Sequence, residues 1–268
     1  MLIDCHVHAY TKEEIKKLLL SMEENQIGKA VIMYWPNIDG LKNPVLKTPP
    51  LNEVLENIKN YPNLFLAGSI RVTDEKNFDT QLKELENALV KKKIIGVKLY
   101  LGYEHFFAND LRCDVIYKLC LKYNVPVIYH TGDTWKSKTA LVRFTNPIYI
   151  DDVAVKFPKL KILISHMGNP CWTKETAEVI YKNKNVFTDF CGILSFFGKF
   201  AKDYDDSLKK EIRELVSFCG SPRKLLFGSD YDIYEQKQYI DFLKEFKEFS
   251  KEDLDYIGYK NAESLFSI

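Results

Sequence analysis

Eight short, nearly continuous apolar runs punctuate the chain, and their even spacing constrains the fold more than any other feature. They cover Leu2–His8, Ala30–Trp35, Leu64–Val72, Ile94–Leu101, Val125–His130, Leu160–His166, Val186–Phe190 and Leu225–Asp230. Runs this short and this apolar suit strands covered on both faces, as in a parallel sheet. Between them lie stretches with a helical period. Lys12–Glu24 places Ile15, Leu18, Leu19 and Met22 on one stripe. Phe78–Lys92 does so with Leu82, Leu85, Leu89 and Val90, and Leu111–Tyr123 with Val115, Ile116, Leu119 and Leu121. Further helices are predicted at Tyr149–Phe157, Thr173–Tyr181, Ser207–Phe218, Glu235–Phe249 and Lys251–Phe266. Strand ends recur about every 32 residues, the length of one βα unit. Eight such units predict an α/β fold, a single (β/α)8 TIM barrel over residues 1–268. Periodicity does not show closure, so an open doubly wound sheet is the alternative. No glycine-rich phosphate loop follows any run, which weakens its nucleotide-binding form.

The 268 residues match the roughly 250 of such a barrel, and 46% hydrophobic with 28% charged residues supplies an ordinary soluble balance. A formal net charge of +1 gives no field that draws nucleic acid or an anionic membrane. The apolar runs are far shorter than the roughly 20 residues of a spanning helix. Met1–His6 lacks the basic and apolar regions of a signal peptide. The six cysteines show no CxxC spacing and read as reduced, mostly buried small hydrophobes. The expected location is the cytoplasm, and the expected partner is a small-molecule substrate.

Four of the five histidines end predicted strands: His6 and His8 the first, His130 the fifth, His166 the sixth. Asp230 ends the eighth. Side chains alternate along a strand, so His6 and His8 share a face. If that face is the barrel interior, all five groups converge at the C-terminal mouth. A strand-end histidine alone is an ordinary hydrogen-bonding residue, but five such groups at one end of their strands form a constellation. Neutral imidazoles and one carboxylate suit a divalent ion such as Zn²⁺. Long connections at Pro36–Pro50, Thr131–Pro147 and Cys191–Asp206 would lie over the same mouth.

At these residues the chain resembles the amidohydrolase superfamily. Within it, it looks like the amidohydrolase-related branch that includes aminocarboxymuconate-semialdehyde decarboxylase and related aromatic-acid decarboxylases, hydratases and lactonases. The matching segments are Ile3-Asp4-Cys5-His6-Val7-His8, Gly96-Val97-Lys98-Leu99-Tyr100, Val127-Ile128-Tyr129-His130-Thr131-Gly132, Leu163-Ile164-Ser165-His166-Met167-Gly168, Leu226-Phe227-Gly228-Ser229-Asp230 and Asn261-Ala262-Glu263-Ser264-Leu265-Phe266. The resemblance implies one Zn²⁺ held by His6, His8, His130 and Asp230, with Asp230 and His166 as the catalytic residues in proton transfer. It implies a metal-dependent hydrolase cleaving a C–N or C–O bond next to a carbonyl. A decarboxylase or hydratase on the same site is the alternative, and a catalytically silent metal-binding barrel the reading from another class. Binuclear relatives bridge two metals through a carbamylated lysine on the fourth strand, the place of Lys98, so that arrangement is the runner-up. Homodimers occur among the relatives. A TatD-like nuclease would want a glutamate where Lys98 stands, and the trinuclear phosphoesterases need more histidines than His105 supplies.

Arg71, Lys98, Tyr100, Trp135 and Trp172 are candidate substrate-binding residues. Arg71 could fork a substrate carboxylate or pair with a neighbouring acid. Tyr100 could line the pocket or belong to the core, and the two tryptophans could wall it. His105 and Arg143 read better as solvated loop residues. Asp4 is expected on the face of His6 and His8, one step deeper, and Asp189 in a supporting role beside the ligands.

Overall fold

The computed structural model describes residues 1–38, 48–135, 137–195 and 200–268. Eight parallel strands stand side by side in chain order: β1 (Ile3–Val7), β2 (Lys29–Met33), β3 (Leu64–Ser69), β4 (Gly96–Leu99), β5 (Val127–His130), β6 (Ile162–Ser165), β7 (Val186–Asp189) and β8 (Leu225–Leu226). The seam between β8 and β1 is held by single bonds, Cys5 N to Phe227 O at 3.0 Å, Asp230 N to His6 O at 2.9 Å and His8 N to Tyr231 O, with a parallel bridge from Val7 to Tyr231. The sheet is thus a nearly closed TIM barrel, as the run spacing predicts. Among the described residues no helix is long and apolar enough to cross a membrane.

The helices alternate with the strands: α1 (Lys12–Glu24), α2 (Leu51–Ile58), α3 (Phe78–Val90), α4 (Leu101–Glu104), α5 (Asp114–Tyr123), α6 (Ile148–Lys156), α7 (Thr173–Lys182), α8 (Ala201–Cys219), α9 (Gln236–Leu243), α10 (Lys251–Asp255) and α11 (Asn261–Phe266). α1 starts where Thr11 accepts from Glu14 N and Glu14 returns the bond in a capping box. α2 escapes the periodicity reading because it is short and lies behind Pro49-Pro50, although Val54, Leu55 and Ile58 form its buried stripe. The predicted last helix is interrupted by a π turn at Tyr256–Lys260. The Pro36–Pro50 and Cys191–Asp206 connections fall partly outside the described residues.

The barrel interior is apolar at its base. Ile3, Cys5, Val31, Met33, Ala67, Ile128, Leu163 and Leu226 fill it, closed below by Ala262, Leu265 and Phe266 of α11. Polar residues occupy the layer above. A bulge in β1 makes that change possible. The strand pairs with β2 as Ile3↔Lys29 and Asp4↔Ala30, then one residue out of step as Val7↔Ile32. The extra residue inverts the alternation, so Cys5 and His6 both face inward and His8 follows above. Asp4 therefore does not share the face of the histidines, because the bulge falls between them. Its carboxylate accepts from Ser229 Oγ (2.6 Å), Gln236 Nε2 (2.8 Å) and Ser229 N (3.0 Å), tying β1 to the chain beyond β8. Burial pushes the carboxyl up to about 6 against those bonds.

Glu104, at the end of α4, carries a pH-dependent stability. Burial raises it from 4.5 to about 7, opposed by bonds from Thr73 and by Arg71 and Arg112. Between these values the folded chain holds a proton that the unfolded chain has lost, so stability falls as pH rises from about 4.5 to about 7. Urea unfolding across that range should show the fall, and Glu104→Gln should flatten it by roughly 2–3 kcal/mol.

Candidate metal centre at the barrel mouth

His6, His8 and Asp230 place their donor atoms in one buried group. His8 Nδ1 lies 2.6 Å from Tyr10 Oη and 3.1 Å from the carbonyl of Met33, which also accepts from Tyr10 Oη at 2.9 Å. A carbonyl only accepts, so Nδ1 carries the proton in that bond and neutral His8 presents a lone pair at Nε2. His6 Nδ1 faces Asp189 Oδ2 at 3.4 Å, which fixes the same tautomer. The two Nε2 atoms then stand 3.5 Å (His6) and 3.2 Å (His8) from Asp230 Oδ1. That oxygen is buried and no donor is directed at it with hydrogen-bond geometry. Two ligands about 2.1 Å from a shared ion sit roughly 3.0–3.4 Å apart, so the group fits a divalent cation.

The remaining groups surround this trio. Asp230 (φ +65°) and His166 (φ +68°) are in the left-handed region, and so is Met167 (φ +54°). The turn at His166–Met167 brings the His166 ring into the mouth, 4.9 Å from His6 and 4.6 Å from His130. His166 Nδ1 donates to the carbonyl of Cys191 at 2.9 Å. His130 lies beside the trio rather than in it, with Nε2 bonded to the Asp133 carbonyl at 2.7 Å. Burial and nearby Lys98 pull His6 down to about 3; burial lowers His166, and burial with neighbouring His166 lowers His130. These three imidazoles are thereby held neutral, the form that coordinates metals. Burial opposes ionisation of Asp230, but His8, His6 and His166 hold its carboxyl well below the usual range.

Lys98 is fully buried beneath this layer and donates from Nζ to Ser165 Oγ at 2.8 Å; burial lowers it to about 8. Tyr100 donates to the Tyr34 carbonyl and packs with Trp35 (4.6 Å between ring centres). Trp35 meets Tyr103 at 5.3 Å and Tyr103 meets His130 at 4.9 Å, so an aromatic wall flanks the mouth. Arg71 is half-buried just past β3, beside Glu104. Trp135 is exposed on the rim and Trp172 lies against Gly168 before α7. His105 is exposed and bonds the Thr139 carbonyl.

Cys191, with Trp35 and Tyr103 of the aromatic wall, is among the site residues that sequence reasoning missed. Its Sγ lies 3.0 Å from His6 Nδ1, 3.0 Å from Asp189 Oδ1 and 3.4 Å from His166 Nδ1. The signal available was its spacing: Asp189 and Cys191 stand at i and i+2 at the end of β7, the same interval as His6 and His8.

An eight-stranded α/β barrel whose mouth gathers imidazoles and a bare carboxylate defines a metal-dependent barrel enzyme. Residues 3–268 match the amidohydrolase family, and the chain belongs to it. It is a metal-dependent enzyme of the amidohydrolase superfamily. No curated protein matches the chain in sequence. Among solved structures it is similar to an uncharacterized TIM-barrel protein of Bordetella bronchiseptica, at 22% identity and TM-score 0.75, covering 99% of this chain and 98% of the other. It is also similar to 5-carboxyvanillate decarboxylase of Sphingomonas paucimobilis, at 11% identity and TM-score 0.70, covering 100% and 99%. The corresponding enzyme of Novosphingobium aromaticivorans, solved with manganese, matches at 13% identity and TM-score 0.65, covering 100% and 96%.

Proposed function

We propose that this protein is a single-domain, metal-dependent decarboxylase of a small aromatic carboxylic acid. One observation carries the metal: a buried carboxylate oxygen without a hydrogen-bond donor, faced by two imidazole Nε2 atoms at 3.2 and 3.5 Å. His6, His8 and Asp230 would hold the ion, with His130 the further ligand that the family resemblance implies, and the bound ion would supply a Lewis acid for a substrate oxygen. Zinc suits the imidazoles and manganese the carboxylate, so either ion fits the set. The second-metal arrangement through a carbamylated Lys98 is not part of this reading, because Nζ is directed at Ser165 Oγ.

The chain's own groups complete the chemistry. The wall of Trp35, Tyr100 and Tyr103 suits a planar ring. His166, whose Nδ1–H donates to Cys191 O, would take up a proton from solvent at its free Nε2 and pass it to the ring carbon as the bond to the departing carbon dioxide breaks. The decarboxylases among the similar structures support this choice of reaction. Hydrolysis is the second reading, favoured by the nearness of Asp230 and His166, whose Oδ2 and Nδ1 lie 2.5 and 2.8 Å from where a Gly192 Cβ would stand. In it Asp230 would accept a proton from the attacking water, and His166, after gaining a proton at Nε2 from Asp230 or solvent, would pass it to the leaving group.

Protein loaded with Mn²⁺ or Zn²⁺ and offered hydroxylated benzoic acids should release carbon dioxide, lose that activity to a chelator and regain it with metal. Turnover of a lactone or amide without carbon dioxide release would select hydrolysis. Metal retention without any turnover would select the silent binding barrel, and failure to retain metal would remove all three readings.

A further inference from the structure

Beneath the trio lies a second set of donor atoms that the proposed reaction does not use as ligands. One donor atom from each of His6, His166, Asp189 and Cys191 lies within 4.8 Å of the others, and all four residues are buried. Cys191 Sγ is central, with contacts of 3.0, 3.0 and 3.4 Å to His6, Asp189 and His166. Two imidazole nitrogens, one carboxylate oxygen and one sulfur make a four-donor set of the kind that holds thiophilic cations. The upper trio offers only nitrogen and oxygen.

We propose that His6, His166, Asp189 and Cys191 form a second metal site, selective for thiophilic cations and mutually exclusive with the His6–His8–Asp230 centre. The exclusion follows from His6, which faces the trio through Nε2 and the sulfur set through Nδ1. A neutral imidazole has one lone pair and one N–H, so it serves one site at a time. When Nδ1 of His6 and His166 carry the protons, donating to Asp189 and to the Cys191 carbonyl, the lower set is closed by its own hydrogen bonds. Moving both protons to Nε2 and losing the thiol proton to solvent turns four donors inward and removes His6 from the upper centre. A thiophilic ion thus empties the proposed catalytic centre by capturing its shared ligand. This rests on the metal centre proposed above for its functional consequence, though not for the existence of the lower site.

The test uses Mn²⁺ and Cd²⁺ in the full chain carrying Cys171→Ser and Cys219→Ser, since these two thiols are exposed and partly exposed. Cd²⁺ should produce a thiolate-to-cadmium charge-transfer absorption and release bound Mn²⁺, read by the free-ion electron paramagnetic resonance signal, with one ion per chain at the end. Adding Cys191→Ser should abolish the absorption and weaken Cd²⁺ binding about 100-fold or more, leaving Mn²⁺ in place at concentrations that previously displaced it. Cys191→Ala provides the same readout if the serine variant does not fold. Absence of the absorption, or equal displacement in the Cys191 variants, overturns the proposal; so does stable retention of both ions. Asp230→Asn separates the two readings: it should eliminate Mn²⁺ binding and leave the Cd²⁺ absorption intact. Mn²⁺ binding that survives Asp230→Asn defeats the upper centre alone.

Discussion

Asp230→Asn is expected to leave the barrel folded while removing metal-dependent stabilisation and at least about 10³-fold of turnover. The substitution keeps shape and backbone tolerance, because asparagine adopts the left-handed conformation found at Asp230 (φ +65°) as readily as aspartate. What it removes is the negative charge that faces Nε2 of His6 and His8. Without an ion, His8, His6 and His166 still favour the charged carboxylate, so neutralising it should cost the metal-free protein some stability. With an ion the gap between wild type and variant widens. Wild-type protein should gain about 4 kcal/mol at a metal concentration 1,000 times its dissociation constant, and the variant should gain far less. Thermal unfolding with and without Mn²⁺ or Zn²⁺, beside the turnover assay, measures both effects. A variant that retains metal affinity and loses only turnover would place Asp230 in proton transfer and outside the coordination set.

The barrel was legible because its strands are buried on both faces, and burial leaves an apolar run that needs no partner to be recognised. Seven strands end within a few residues of the runs. β8 is the exception: the run Leu225–Asp230 forms ladder pairs only at Leu225–Leu226 before the chain bends to present Asp230. The four strand-end histidines and Asp230 gather at the mouth, as the spacing predicts. The failures are local and share a cause. Strict alternation put Asp4 with His6, and a single extra residue in β1 sends it to the other side, a shift that depends on pairing with β2 and leaves no mark in the β1 sequence. His166, by contrast, reaches the mouth as expected, but through two left-handed residues rather than alternation, which would turn it outward after the inward-facing Ser165. Cys191 looks like a small hydrophobe in sequence because its role depends on neighbours 25 and 185 positions away.

Gly192→Ala should cost more than about 100-fold in turnover, and Gly220→Ala should cost none. Both glycines are left-handed, with φ of +67° and +69°, so an alanine at either incurs a similar backbone penalty of roughly 1–2 kcal/mol. Their surroundings differ. A Cβ on Gly220 meets nothing within 4 Å, whereas a Cβ on Gly192 falls 2.5 Å from Asp230 Oδ2 and 2.8 Å from His166 Nδ1. Something must move, and the loop is poorly placed to do so. Tyr239 Oη accepts from Ile193 N at 2.6 Å and Leu194 N at 3.0 Å, while Tyr234 Oη donates to the Leu194 carbonyl at 3.0 Å. The backbone beyond Gly192 is therefore pinned, and the displacement passes to the carboxylate and the imidazole. A shift of about 1 Å in such groups is enough for a hundredfold loss. Comparing unfolding and turnover for the two variants isolates that contact from the conformational penalty they share. Equal activity in both would mean that Asp230 and His166 tolerate displacement, which is incompatible with a site that depends on where they stand.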